Sequence, residues 1–239
     1  MEGFDRICTG VAGLDSQLGG GVPRGTSILL IAESTNALYK FLDELAAFGV
    51  EQKEEVFWLE LDRPWDLVRD SLETTLDGRQ GKLTVLNAFQ PHLGQASTNG
   101  DAIGMETIDP SDIEDVTTHR LSKVEKGNYR MVLTSLSSML QTEPEDEVLD
   151  YVRQVVALGQ DMGGLQIFTM VEDAHSAQTL AMFKHMCTAV FELGMERKGF
   201  GLYSYLKIEK LLGVPDAANL MLFDETDEGL RLENTKRVF

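Results

Sequence analysis

The sequence predicts an α/β protein: a mostly parallel central sheet flanked by helices, with an antiparallel β-hairpin at its C-terminal end. Three observations predict it. Short β-rich runs alternate with segments of helical periodicity up to about residue 193, the pattern of βαβ units covered on both faces. Beyond Gly201 the helical segments stop and β-like runs follow one another across a turn, which reads as an antiparallel edge. At 239 residues the chain suits one large α/β domain, and no repeat, low-complexity tract or dividing linker splits residues 1–239.

The elements follow in order. Ser27 to Ile31 is the first strand of the alternation, and Leu38, Phe41, Leu42, Leu45 and Phe48 then recur at helical spacing, with Gly49 as the stop. Val56 to Leu61 is the next strand, and Pro64 opens a helix through Trp65, Leu67, Val68 and Leu72. A strand at Leu83 to Ala88 precedes a Gly/Ser/Asn-rich stretch, Gln90 to about Gly104, that reads as loop. A helix is expected over Ser111 to Val124 and a strand over Tyr129 to Leu133. Thr142 and Glu145 have capping-box spacing ahead of a helix from Glu147 to Gln160, and Gly163-Gly164 punctuate before a strand at Leu165 to Val171. Leu180, Phe183, Lys184 and Met186 mark a helix, Ala189 to Leu193 a strand. Gly201 to Leu211, Asn219 to Phe223 and Leu230 to Glu233 complete the β region, the last two joined at Asp227-Glu228-Gly229.

Composition narrows the class. The leading residues show no basic and apolar signal pattern, and the apolar runs are strand-length rather than bilayer-length, so a cytoplasmic, membrane-free protein is expected. Cys8 and Cys187 fit a reducing compartment better than a disulfide framework, and neither has neighbouring metal ligands. The four histidines, His92, His119, His175 and His185, have no metal-binding spacing, so no metal site is expected. The net charge of −18, from 39 acids against 21 bases, is dispersed along the chain. Dispersion favours a halophilic surface over an acidic docking tail, with solubility or a basic partner as the alternatives. The same charge opposes nucleic acid at ordinary salt, although molar salt would screen it.

The most specific segment is Thr9-Gly10-Val11-Ala12-Gly13-Leu14-Asp15-Ser16-Gln17-Leu18-Gly19-Gly20-Gly21-Val22-Pro23-Arg24-Gly25. It resembles the T-G-x-x-G-L-D-x-x-L-G-G-G-[IV]-P-x-G run that precedes the phosphate-loop strand in the KaiC/RadA branch of the RecA superfamily, with every fixed position filled. Tyr129 to Leu140 is similar to the family's Walker B strand and its serine-rich continuation, and Leu206 to Gly229 to its terminal β-hairpin region. The resemblance implies a single RecA-like P-loop NTPase fold of archaeal, haloarchaeal style, assembled side by side with nucleotide at the subunit interface.

The chemical positions depart from that family. A phosphate loop needs G-x-x-x-x-G-K-[ST], so that bare backbone N–H groups and a lysine meet phosphate oxygens. Ala32-Glu33-Ser34-Thr35-Asn36-Ala37-Leu38-Tyr39 stands there instead, without either glycine, the lysine or the magnesium-binding hydroxyl. Thr134 occupies the Walker B acid's place, and the paired catalytic glutamates map onto Asp62 and Arg63, which read as an exposed strand-end pair. Ser34, Thr35 and Asn36 read as the N-cap turn of the following helix. With Lys40, Asp62 and Thr134 they form the weak candidate set for a degenerate nucleotide site, and no catalytic residue is assigned.

Asp173 and His175 follow a strand at the sheet's carboxyl edge, where α/β sites gather. Ser135, Ser137 and Ser138 lack a base-and-elbow signature. Arg197-Lys198 is the tight basic pair before the C-terminal β region.

The expected function is therefore a pseudo-ATPase, a regulatory or assembly partner of an active KaiC/RadA-like paralogue or another protein, as homo- or hetero-oligomer and without a required cofactor. The alternatives are an ATP-binding or ATP-hydrolysing protein with a non-standard loop, using Lys40, Asn36 and Asp62 with Mg-ATP, and a DNA-recombination accessory.

Overall fold

The computed structural model describes residues 5–33, 35–77, 81–90, 96–97, 103–198, 201–214, 220–226 and 229–232. In chain order these form β1 (Arg6–Ile7), α1 (Leu14–Gln17), β2 (Val22–Pro23), β3 (Ser27–Ala32), α2 (Asn36–Glu51), β4 (Glu55–Glu60), α3 (Trp65–Leu76), β5 (Leu83–Asn87), β6 (Ala96–Ser97) and β7 (Ile103–Thr107). A 3-10 turn at Pro110–Asp112 leads to α4 (Ile113–Leu121), β8 (Tyr129–Thr134), α5 (Leu136–Thr142), α6 (Glu145–Met162), β9 (Leu165–Val171) and α7 (Ala177–Met186). The chain closes with β10 (Ala189–Lys198), β11 (Gly201–Leu211), β12 (Leu220–Thr226) and β13 (Gly229–Leu232).

Eleven strands make one sheet in the order β13-β12-β11-β10-β3-β9-β8-β4-β5-β7-β6. Every neighbouring pair from β10 through β7 is parallel, and β11, β12 and β13 add antiparallel strands along one edge. The period-two alternation of strand side chains divides the core into two layers. Ile28 and Leu30 of β3 join Phe41, Leu42 and Leu45 of α2 and Val68 and Leu72 of α3 on one face. Leu29 and Ile31 point the other way, toward Tyr151, Val152 and Val155 of α6 and Phe183 of α7. The predicted α/β class, with its C-terminal antiparallel strands, is what the chain adopts.

The Thr9–Gly25 run is structural. Asp15 accepts hydrogen bonds from the Thr9 backbone N–H (2.7 Å), the Thr9 hydroxyl (2.8 Å) and the Gly10 N–H (3.0 Å), closing the turn on itself. Gly10 has φ +85 and lies so close to Phe48 that an added Cβ would fall 2.2 Å from the Phe48 Cβ, so only glycine fits. Arg130, fully buried on β8, clamps this turn to the sheet: it donates to the Cys8, Thr9 and Leu45 carbonyls and pairs with Glu54 at 2.9 Å.

Four local expectations are corrected. Gly49 does not stop α2, which runs on to Glu51; it is small because Val56, Glu54 and the Arg130 Nε pass within 2.9–3.0 Å of where its Cβ would lie. The Thr142–Glu145 capping box does not form. Thr142 closes α5, a helix that the sequence shows only as a serine-rich continuation, and its hydroxyl donates to the Met139 carbonyl while Pro144 precedes α6. The stretch read as loop to Gly104 contains β6 and the start of β7, where Ile103 and Met105 bury one face of a short strand; residues 91–95 and 98–102 lie outside the described residues. The helix expected over Ser111–Val124 is the shorter α4 preceded by the 3-10 turn, with Asp109 capping that turn through Ser111.

Candidate functional site

In an open parallel sheet, ligands bind beyond the carboxyl ends of strands whose outgoing connections diverge. Strands β3 and β9 are such a pair. From β3 the chain leaves through α2 on one face, and from β9 through α7 on the other. The ends of β3, β9, β8 and β4 therefore define the candidate site.

At the end of β3 the chain turns quickly. The Thr35 N–H donates to the Glu33 carbonyl at 2.9 Å, Thr35 is the N-cap of α2, and its hydroxyl accepts from the Leu38 N–H at 3.4 Å. The helix is thus already formed at Asn36, ahead of Leu38 and Tyr39, where the sequence reading puts the lysine and hydroxyl of a phosphate loop. Leu38 is buried in the α2 core layer, and Lys40 is exposed on α2. Ser34 and the Asn36 side chain lie outside the described residues. The hollow bounded by Glu33, Thr35, Ala37, Leu193 and Phe223 has a volume of about 10 Å³, room for roughly one water.

Next to this corner sits a buried ionic cluster. Glu60, the last residue of β4 and 1% exposed, accepts from the Asp62 and Arg63 backbone N–H groups at 2.9 Å, the Trp58 indole at 3.0 Å and the Arg63 guanidinium at 3.1 Å. Arg63 in turn lies over the Tyr39 ring, 3.7 Å from its centroid, so the guanidinium is sandwiched between a carboxylate and an aromatic face. Burial pushes the Glu60 carboxyl pKa upward, opposed first by Arg63 and then by the Asp62 N–H, the Thr134 hydroxyl and the Trp58 indole. On the adjoining turn of α2, Asp43 is 2% exposed; one carboxylate oxygen accepts from the Ser71 hydroxyl and the other has no hydrogen-bond partner among the described residues. Burial raises the Asp43 pKa to about 6, against the lowering effects of Ser71 and Arg63.

The sequence reading of Asp62–Arg63 as an exposed pair is therefore corrected. Arg63 is buried and bonded to Glu60, while Asp62 turns to the next strand end and accepts from the Ser135 (3.1 Å) and Ser138 (2.5 Å) hydroxyls. Thr134 does end β8, and is fully buried. Asp62 and Thr134 are thus brought to one edge of the sheet with Thr35, whereas Lys40 is on the outer side of α2. Glu60, Asp43 and Tyr39 were not among the candidates. The available signal was Glu60 itself, a lone carboxylate closing an apolar strand run.

Beyond β9, Asp173 and His175 lie at the carboxyl edge as expected. His175 Nε2 is 2.7 Å from the Ser137 hydroxyl, which also accepts from the Val171 N–H at 2.9 Å. Burial lowers the His175 pKa. Ser137 is only 4% exposed, so this contact ties α5 to the β9 end rather than presenting a nucleophile to solvent. Arg197 and Lys198 end β10, with side chains outside the described residues. No helix among the described residues is long and apolar enough to cross a membrane.

Comparison with known proteins agrees with this architecture. A UPF0273 protein of Methanopyrus kandleri is 22% identical over 242 residues, covering 97% of this chain and 93% of that protein. A UPF0273 protein of Aeropyrum pernix is 23% identical over 235 residues, covering 95% and 92%. Among solved structures, the KaiC-like protein of the hyperthermophilic archaeon Pyrococcus horikoshii OT3 matches with a TM-score of 0.73 at 17% identity, over 97% of this chain and 100% of that one. The KaiC-like, RecA-type fold drawn from the Thr9–Gly25 run is thereby shown. A family model matches residues 6–224, and the chain belongs to that family, described as a family of unknown function, DUF7125.

Proposed function

We propose that the chain is a catalytically degenerate RecA/KaiC-like domain that acts through protein contacts, as a regulator or assembly partner of an active paralogue or another protein. The observation that carries this reading is the packing of Arg63 between Glu60 and Tyr39 beside a helix that begins at Asn36. Phosphoryl transfer depends almost wholly on positioned charge: backbone N–H groups and a lysine around the phosphates, a metal, and a base for the nucleophile. Here the position of the metal-binding hydroxyl holds an aromatic ring, and the neighbouring cation is neutralised by a buried carboxylate. The exposed acid Glu33 adds repulsion at the loop. Such a domain keeps its surfaces and loses its chemistry.

The test is the melting temperature with and without Mg-ATP, for the unmutated protein and Lys40→Ala. No shift in either is expected. A shift in the unmutated protein that Lys40→Ala abolishes supports instead an ATP-binding member with a non-standard loop.

A further inference from the structure

Two carboxylates are buried behind the β3–α2 corner, and one guanidinium serves both. Glu60 is 1% exposed and Asp43 2%. Arg63 bonds Glu60 at 3.1 Å, and its charge also reaches Asp43. With both acids ionised the cluster would hold a net negative charge away from water, which is costly. Like charges in one buried site are relieved when one of them keeps a proton.

The other groups packed around Asp43 supply no second cation. From α3, Ser71 donates its hydroxyl to one Asp43 oxygen, while Arg69 is held by Asp66 and Asp70. From β5, Asn87 beside Glu60 is uncharged, and from β8 Arg130 is bound to Glu54. Of β13 only the Leu232 side chain lies among the described residues, and Lys40 is on the exposed side of α2. Asp62, next to Arg63, faces Ser135 and Ser138. The proton belongs on Asp43. Glu60 already accepts from two backbone N–H groups, the Trp58 indole and Arg63, all of which favour its charged form. Asp43 has an oxygen with no hydrogen-bond partner among the described residues, a vacancy that a neutral carboxyl tolerates better than a carboxylate. Asp43 also follows Tyr39 by four residues on α2, so the two side chains leave one helix face about 5–6 Å apart. A guanidinium lying 3.7 Å over the Tyr39 ring is therefore close to both.

We propose that this cluster is a proton-controlled latch: with Asp43 protonated, Arg63 stays on Glu60 and covers Tyr39, and loss of that proton draws the guanidinium off the ring toward Asp43, releasing the first turn of α2. The structure holds the latched arrangement. Asp43 takes up its proton as pH falls through about 6, so the latch is closed in acid and open above neutral pH. It works with or without a nucleotide at the corner, and a pH titration and a Mg-ATP titration therefore fail independently.

The experiment is a pH series of 1H–15N spectra of the folded protein from pH 5 to pH 8, with the Arg63 Nε–H signal assigned through bonds. An aromatic face shifts the signal of a guanidinium that lies over it. That ring shift should be full at pH 5 and fall by half or more by pH 8, in one single-proton step centred near 6. Asp43→Asn, which cannot ionise, should keep the ring shift throughout. Ser71→Ala removes a hydrogen bond that favours the ionised form, and should move the midpoint upward. An Arg63 signal that ignores pH in the unmutated protein, a step that persists in Asp43→Asn, or a midpoint unmoved in Ser71→Ala would overturn the proposal.

Discussion

The guanidinium of Arg63 lies 3.7 Å from the centre of the Tyr39 ring while bonding Glu60 at 3.1 Å. Two positions that are separate in sequence, one in the loop-to-helix corner and one after β4, thus form a single contact between a buried guanidinium and a half-buried ring.

Removing one charge of that contact should cost more than removing both. Arg63→Ala strands the Glu60 carboxylate and should destabilise by about 3–5 kcal/mol. Glu60→Gln combined with Arg63→Met removes both charges at similar volume and should cost distinctly less. Tyr39→Leu forfeits the cation–π contact, worth about 1–2 kcal/mol at this half-buried ring. Urea denaturation of the three variants gives the order directly.

Asp43 makes stability depend on pH in an unusual direction. Its carboxyl pKa is raised from 3.8 to about 6 in the folded chain, so the folded state holds the proton more tightly than the unfolded state. The associated stability is fully present below pH 3.8 and is lost as pH rises through about 6, a change of about 3 kcal/mol. Asp43→Asn keeps a partner for Ser71 without the charge. It should be more stable than the unmutated protein at pH 7, with the advantage shrinking towards pH 4. Denaturation across pH 4–8 checks this, and parallel curves would contradict it.

Gly49→Ala tests the packing around the Arg130 clamp. Helix propensity alone would make the change stabilising by about 1 kcal/mol. The added methyl would instead meet Val56, Glu54 and Arg130 at 2.9–3.0 Å, and overpacking predicts a net loss of about 1–3 kcal/mol. Thermal melting should show a lower Tm.

Much of the architecture is legible in the sequence because it rests on local patterns. The apolar runs place the strands, and the Thr9–Gly25 turn is held by its own Asp15, so its residues sit together in sequence as they do in space. Most of the failures come from contacts between distant segments, while those at Thr142 and Arg63 come from partners three residues away. Gly49 looks like a helix stop because the approach of Arg130 is invisible from its neighbours. Thr142 has cap spacing, but it belongs to the last turn of α5. Asp62 and Arg63 look like an exposed pair, yet Glu60 captures one and Ser135 and Ser138 the other. Asp43, among the apolar positions of an amphipathic helix, gives no sign that it faces Ser71 across the α2–α3 contact.

On the proposed pseudo-ATPase reading, the β3–α2 corner is silent towards Mg-ATP. Isothermal titration, paired with a phosphate-release assay on the same sample, checks both halves of that statement. Neither micromolar binding nor turnover above background is expected. Micromolar binding together with measurable hydrolysis would refute the pseudo-ATPase reading.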